Sequence, residues 1–249
     1  LRVAAGATVD LNGNDQSVGS LGDGATAGGL VENSASNALV LTIGTDNAAA
    51  SFGGVLRNGV GTVALVKTGV GAQSLHGSNT YAGGTTILSG SLLVNGSIGT
   101  GAVAVLAGGT LGGTGVVAGP VLNSGFVAPG ASAGILQLGS TFDQGSGLLV
   151  IELAGTTPGA GYDRLAVAGA ATLGGALVVS TNSGFVPVSS DTFTVLTAAS
   201  ITGAFASTNL PALVPGLGWE VQYTATAVSL VVTGTVSGGL SAYEQWAQS

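Results

Sequence analysis

The chain has 249 residues, of which only 6% are Asp, Glu, Lys or Arg, against roughly a quarter in an ordinary globular domain. A net charge of −7 with four basic residues, Arg2, Arg57, Lys67 and Arg164, offers no cationic footprint for phosphate backbones or anionic lipid heads, so nucleic acid is excluded as an expected partner. Cysteine is absent, so stability must come from packing and backbone hydrogen bonds, and forty-six glycines without a three-residue period exclude collagen.

The chain opens at Leu1 without Met and without a basic region followed by an apolar one, which reads as a processed or partial chain. The eleven acids are scattered rather than blocked, and their expected role is to keep a nearly neutral surface soluble. The densest of them, Asp10, Asp15, Asp23 and Glu32, fall at unrelated offsets among Gly and Asn. That setting favours turn roles over an acid–base pair or a calcium site. From Leu1 to about Ser140 one grammar repeats, a short run rich in Val, Leu, Ile or Thr followed by Gly or Asn. Residues 39–43, 62–66, 85–88, 91–94, 102–106 and 115–117 have strand length and strand composition.

Strands this short cannot bury a face alone and need similar neighbours above and below them. This predicts an all-β fold, a parallel β-helix (β-solenoid) with coils of roughly 20 to 25 residues stacked about 4.8 Å apart. Glycine pairs such as Gly83-Gly84, Gly108-Gly109 and Gly112-Gly113 are expected at the bends, where a Cβ has no room. No helix or lysine follows them, as a phosphate-cradling loop requires.

Beyond Ser140 the predicted strands lengthen, at 148–153, 164–167, 175–180, 192–196 and 229–232, and aromatic residues become commoner. Phe142, Tyr162, Phe185, Phe193, Phe205, Trp219 and Tyr223 are expected to plug the open end of the stack, which otherwise exposes ladder groups and core. Near the end, Leu240, Tyr243 and Trp246 are spaced as on one helical face and predict a short terminal helix. The expected organisation is solenoid coils over 1–141, further coils and a C-terminal β cap over 142–236, and a short terminal helix or tail over 237–249. Every apolar run is broken by Gly, Ser or Thr well short of the roughly 18 residues of a membrane helix, so no membrane-spanning segment is expected.

Within this pattern, residues 65–94 carry Lys67-Thr68-Gly69, Ser78-Asn79-Thr80-Tyr81 and Gly83-Gly84-Thr85-Thr86, and end in a Gly and a short apolar strand. The stretch resembles the autotransporter-associated β-strand repeat, also called the passenger-associated transport repeat. Residues 125–136 and 162–177 look like segments that follow this repeat in β-helical passenger domains. The resemblance implies a right-handed parallel β-helix, secreted and held on a bacterial cell surface or released from it, that acts in adhesion, aggregation or as a stalk. It implies no catalytic residues. Residues 72–76 depart from the more regular Thr/Leu alternation of the repeat.

The remaining candidates for chemistry are few. His76 is the single histidine, and Ser74 and Ser78 flank it without a nucleophile-elbow pattern, so it is expected on a turn or outer face. Tyr162-Asp163-Arg164 reads as a solvated or locally paired Asp–Arg at a strand start. Trp219 and Trp246 read as packing residues rather than sugar platforms. No catalytic, cofactor-binding or metal-binding residue is predicted. The expected function is a non-enzymatic structural solenoid of the cell surface or extracellular matrix, self-associating head to tail into fibres or serving as an adhesive stalk. Other surface proteins or glycans are the further partners considered, with a glycan-binding adhesin module, and then a polysaccharide-active enzyme, as alternative readings.

Overall fold

A computed structural model of the chain describes residues 1–23, 28–130 and 132–235. Every regular element among them is a strand, and the strands stack into sheets of 15, 7 and 3 strands. Each coil lays one segment on each of three faces and then rises to the next. On the first face Gln16–Val18, Leu39–Ile43, Val63–Lys67 and Thr85–Val94 follow one another, and Val103–Gly113, Val121–Asn123, Phe142–Asp143, Ala170–Leu173 and Ser200–Gly203 continue the stack. All of these pair in parallel. The chain is a parallel β-solenoid, and nine strands at about 4.8 Å make a rod about 40 Å tall.

Alternation of side chains decides what lies inside. Leu39–Ile43, Val63–Lys67 and Leu148–Leu153 bury every second residue, and the intervening ones face outward. In-register stacking then turns each inward position into a column. Leu41, Leu65, Thr85, Val103, Val121 and Phe142 form one such column on the first face. Val18, Ile43, Lys67, Ile87, Val105 and Asn123 form the next. Thr85–Val94 and Val103–Gly113 are long because each turns the corner from the first face to the second without a break. Gly90 makes this possible with φ of 65°, and a Cβ there would collide with the Gly69 carbonyl and the Lys67 ammonium.

Coil length is less uniform than the spacing of the sequence suggests. Thr85 pairs with Val103 and Val103 with Val121, so these coils close in 18 residues. Ala171 pairs with Phe142 and with Ile201, so those coils take 29 and 30. The added length lies after the second face, where residues 154–163 and 182–191 run between strands. Parallel coils continue past Phe142 as far as Ser207–Asn209. Leu217–Tyr223 and Ala227–Gly234 then form an antiparallel hairpin, which docks antiparallel on Thr192–Thr197 of the third face. Phe193 lies beneath this hairpin against Tyr162, Phe185 and Trp219, at centroid distances of 5.4, 6.0 and 6.0 Å. The helix expected over 237–249 lies outside the described residues.

Candidate functional site

The polar residues of the 65–94 motif point into the rod. Lys67 occupies a column whose neighbours above and below are Ile87 and Ile43, and it is 1% exposed. Its ammonium donates to the carbonyls of Thr68 at 2.6 Å, Gly69 at 2.9 Å and Ser89 at 3.1 Å, which ties the corner of one coil to that of the next. Burial lowers its pKa, because no carboxylate offsets the lost hydration. Tyr81 is buried with its hydroxyl 2.7 Å from the Thr85 hydroxyl, and burial raises its pKa.

Asn79 joins two sheets. The third-face sheet ends at Val55–Leu56 and resumes at Ser97–Ile98, and the gap is bridged by the coil segment around Asn79. The Asn79 side-chain oxygen accepts the Leu56 N–H at 2.8 Å, and its amide nitrogen donates to the carbonyls of Gly77 and Ser97. Gln73 acts similarly over a longer span, accepting the Leu21 N–H and donating to the Leu21 carbonyl from two coils away. Backbone groups that the ladder leaves open are thereby satisfied inside an apolar rod, where an unpaired one is costly.

The acids are also committed to backbone. Asp10 accepts from Asn12 N–H and from the Ser34 N–H and hydroxyl, which together hold its carboxyl below the ordinary range. Asp15, Asp23, Asp46, Asp143 and Asp191 each accept a backbone N–H. Glu32 pairs with Arg57 at 2.6 Å. Asp10 and Glu32 are register partners on stacked strands of the third face, but one carboxylate is taken up by Ser34 and Asn12 and the other by Arg57, and among the described residues no three His, Cys, Asp or Glu side chains gather as a metal-holding group.

Asp163 departs from its expected solvated or Arg-paired state. It is 2% exposed, and its two oxygens accept the N–H groups of Gly134 and Glu152 at 2.8 Å each, fastening Gly134 to the following coil. Burial pushes its carboxyl up to about 7; the two N–H groups act in the opposite sense and the Glu152 charge in the same one. Arg164 makes no ion pair with it, and the Arg164 Nε is buried without a hydrogen-bond partner. Asp163 ends the long connection 154–163, and its carboxylate is the group that closes that connection onto the rod. A shallow groove of about 230 Å³ passes beside it, lined by Ser91, Leu93, Thr110, Val150 and Glu152 among others. His76 is exposed on the outer surface. Trp219 packs on Phe193 and donates to the Pro211 carbonyl at 2.8 Å, whereas Trp246 lies outside the described residues.

Two comparisons bear on this arrangement. Residues 65–94 match the passenger-associated-transport-repeat family model. Over 69 residues the chain is 44% identical to the adhesin BmaC autotransporter of Brucella suis biovar 1 (strain 1330), a match that covers 27% of this chain and 2% of that protein. The chain carries one passenger-associated transport repeat, at residues 65–94. The chain thus spans only a small fraction of the length of the relative it matches.

The polar side chains of the repeat motif are therefore scaffolding, bonded within the rod. The outer surface has a pattern the scattered-acid reading missed. From residue 58 to residue 142 there is no Asp, Glu or Arg, and the one lysine is buried. Acids instead form two groups, one from Asp10 to Asp46 and one from Asp143 onward. The uncharged stretch also exposes large apolar side chains, Val60, Val70, Leu88, Leu106, Leu122 and Phe126. In the sequence this pattern is a gap in charge between Arg57 and Asp143, which gains meaning only once the coils are known to stack. Among the described residues no helix is long and apolar enough to cross a membrane.

Proposed function

We propose that the chain belongs to the secreted, surface-exposed passenger of an autotransporter-type adhesin and serves there as a non-enzymatic adhesive stalk. The observation that carries this reading is the inward use of polar chemistry. Lys67, Gln73, Asn79, Tyr81 and Asp163 all spend their polar atoms on the rod itself, so shape and outer faces remain as the means of action. The likeness to the Brucella adhesin over 69 residues fits the same reading. A stalk is favoured over a head-to-tail fibre because the hairpin Leu217–Tyr223 and Ala227–Gly234 covers the third face at the C-terminal end with antiparallel strands. A parallel coil from another copy has no matching edge there. We further propose that residues 1–141 supply the slender part of the stalk and residues 142–236 its broad, closed end.

The exposed aromatic residues weigh against a glycan platform. Phe126 and Tyr223 are the exposed aromatics among the described residues, and they lie on a mid-rod strand and on the terminal hairpin. The test is display of the chain, within a passenger, on a non-adherent bacterial host, followed by counting cells retained on epithelial monolayers and on abiotic surfaces. Greater retention than for the same passenger lacking residues 1–249 is expected. Equal retention on every surface sinks the adhesive reading.

A further inference from the structure

We propose that residues 58–142 form a charge-free belt through which two copies of the chain pack side by side, with Val70, Leu88, Leu106, Leu122 and Phe126 as the contact ridge. The inference rests on the surface-display reading above and names the partner that the belt fits, a second copy of this chain.

The ridge follows from register. Val105 pairs with Ile87, and the ladder slips between Val105 and Gly108, so the bulged Leu106 stands beside Leu88 on the neighbouring coil. Leu122 pairs with Ala104, two strand positions from Leu106, and on its other side with Asp143, where the belt ends; Phe126 opens the second face of the same coil. Val70 sits at the equivalent corner one coil below, 78% exposed. Beside the ridge the first face presents Val66, Thr86 and Ala104 in register, all uncharged and two of them small. A stacked face of this kind is flat and lets another such face approach closely.

Charge selects the occupant. A neutral, apolar ridge gives a charged ligand nothing to pair with, whereas an identical belt meets it with no charge closer than Asp143 at its edge. The flanking regions both carry acids, Asp10 to Asp46 at one end and Asp143 to Glu220 at the other. Whether two rods lie parallel or antiparallel, acidic end meets acidic end, and the belt is where they can touch. That repulsion is screened by salt over a Debye length of about 10 Å at 0.1 M, so association strengthens as salt rises. The size of the contact sets its strength. One face over four coils offers on the order of 300 Å² per copy, well below the roughly 800 Å² per partner of a stable interface. The contact is weak in dilute solution and effective where copies are crowded, as on a cell surface.

The test is sedimentation velocity of the full chain across concentration at low and high salt, with a Leu106→Lys/Leu122→Lys double variant and a Ser200→Lys control. Ser200 is exposed on a strand outside the belt. Weak self-association that grows with salt is expected for the wild type and the control, with a loss of about tenfold or more in the double variant from like charges brought together. Circular dichroism checks that the double variant keeps its fold; Leu88→Ser, which adds no charge, is the second variant and is expected to weaken association less. A wild type that stays monomeric at every concentration and salt overturns the belt. So does a double variant that associates as the wild type does, or a control that loses as much. Retention of displayed cells on surfaces is scored separately, so adhesion without self-association refutes this proposal while leaving the stalk reading intact.

Discussion

Around Lys67 and Asn79 a coil closes in about 18 to 20 residues, and its interior gaps are joined by an ammonium and by side-chain amides. Around Phe193 a coil takes about 30, and its interior is filled by the rings of Tyr162, Phe185, Phe193 and Trp219. The difference is one of cross-section. The narrow coils hold single rings, Phe52 and Tyr81, and their tight corners leave backbone groups that the ladders cannot reach, so long polar side chains serve as surrogate ladder partners. A broad rod has internal volume to fill, and aromatic side chains supply it at high buried area. Stability in the first region should therefore depend on hydrogen bonds, and in the second on apolar volume.

The largest effect is expected from Phe193→Ala. Phe193 is fully buried, and its loss opens a cavity between three other rings, with a cost of about 3–5 kcal/mol. Urea denaturation followed by tryptophan fluorescence reads it through Trp219, 6.0 Å from Phe193. A cost near zero would mean that the rings are loosely packed and that the broad coils do not depend on apolar volume.

Asn79→Leu comes next, because it keeps the size of the side chain and deletes its hydrogen bonds. The Leu56 N–H loses its acceptor, and the carbonyl of Gly77 loses a donor, which together cost about 2–4 kcal/mol. Hydrogen exchange locates the damage. Protection should fall at Leu56 and its neighbours while the Thr192–Thr197 strand keeps its own, since a solenoid's coils interact mainly with their neighbours. If both regions lose protection alike, the rod unfolds as one unit and the comparison between them is not energetic.

Asp163 links the two regions and makes a pH prediction. Its carboxyl titrates at about 7 in the folded chain and about 3.9 when unfolded, so between those values the folded state binds more protons. Stability from this group is therefore greatest below about pH 4, declines as pH rises to about 7 and is flat above. Asp10 has the opposite sign, since its lowered pKa adds stability above the unfolded value that is lost on further acidification. Thermal unfolding in steps between pH 4 and 8 should show the decline, and Asp163→Asn should flatten it. A slope unchanged in that variant would assign the pH dependence to another group.

Much of this was readable from the residues. The strands at 39–43, 148–153 and 164–167 coincide with observed ones because alternating Val, Leu and Ile bounded by Gly has a single β interpretation. The motif at 65–94 was equally clear as a pattern, but the direction of its side chains was not. Lys67 reads as a surface residue, and only the stacking of Ile43 and Ile87 against it shows that it is inside. Coil length was also hidden, since Gly-rich turns mark corners without saying how many residues bulge between them. The Leu88–Leu106 ridge depends on a register slip at Gly108 that no local pattern announces.

Arg57→Ala should have the smallest effect, and its smallness matters to the comparison. Arg57 reaches Glu32 on the neighbouring coil of the third face, with Nε at 2.8 Å and an η nitrogen at 2.6 Å from the same carboxylate oxygen. Side-chain exposures of 49% and 20% leave the pair largely hydrated, and both nitrogens share one acceptor where a stronger geometry uses two. A loss of about 0.2–1 kcal/mol, shrinking as salt is added, is therefore expected from urea denaturation. The same slender region holds Lys67 and Asn79, whose polar atoms face inward, so the two kinds of contact can be compared within one stack of coils. If removing the outer ion pair cost as much as removing the Asn79 amide, burial would not be what gives the inward polar groups their weight. The slender coils would then be held by their surface as much as by their interior.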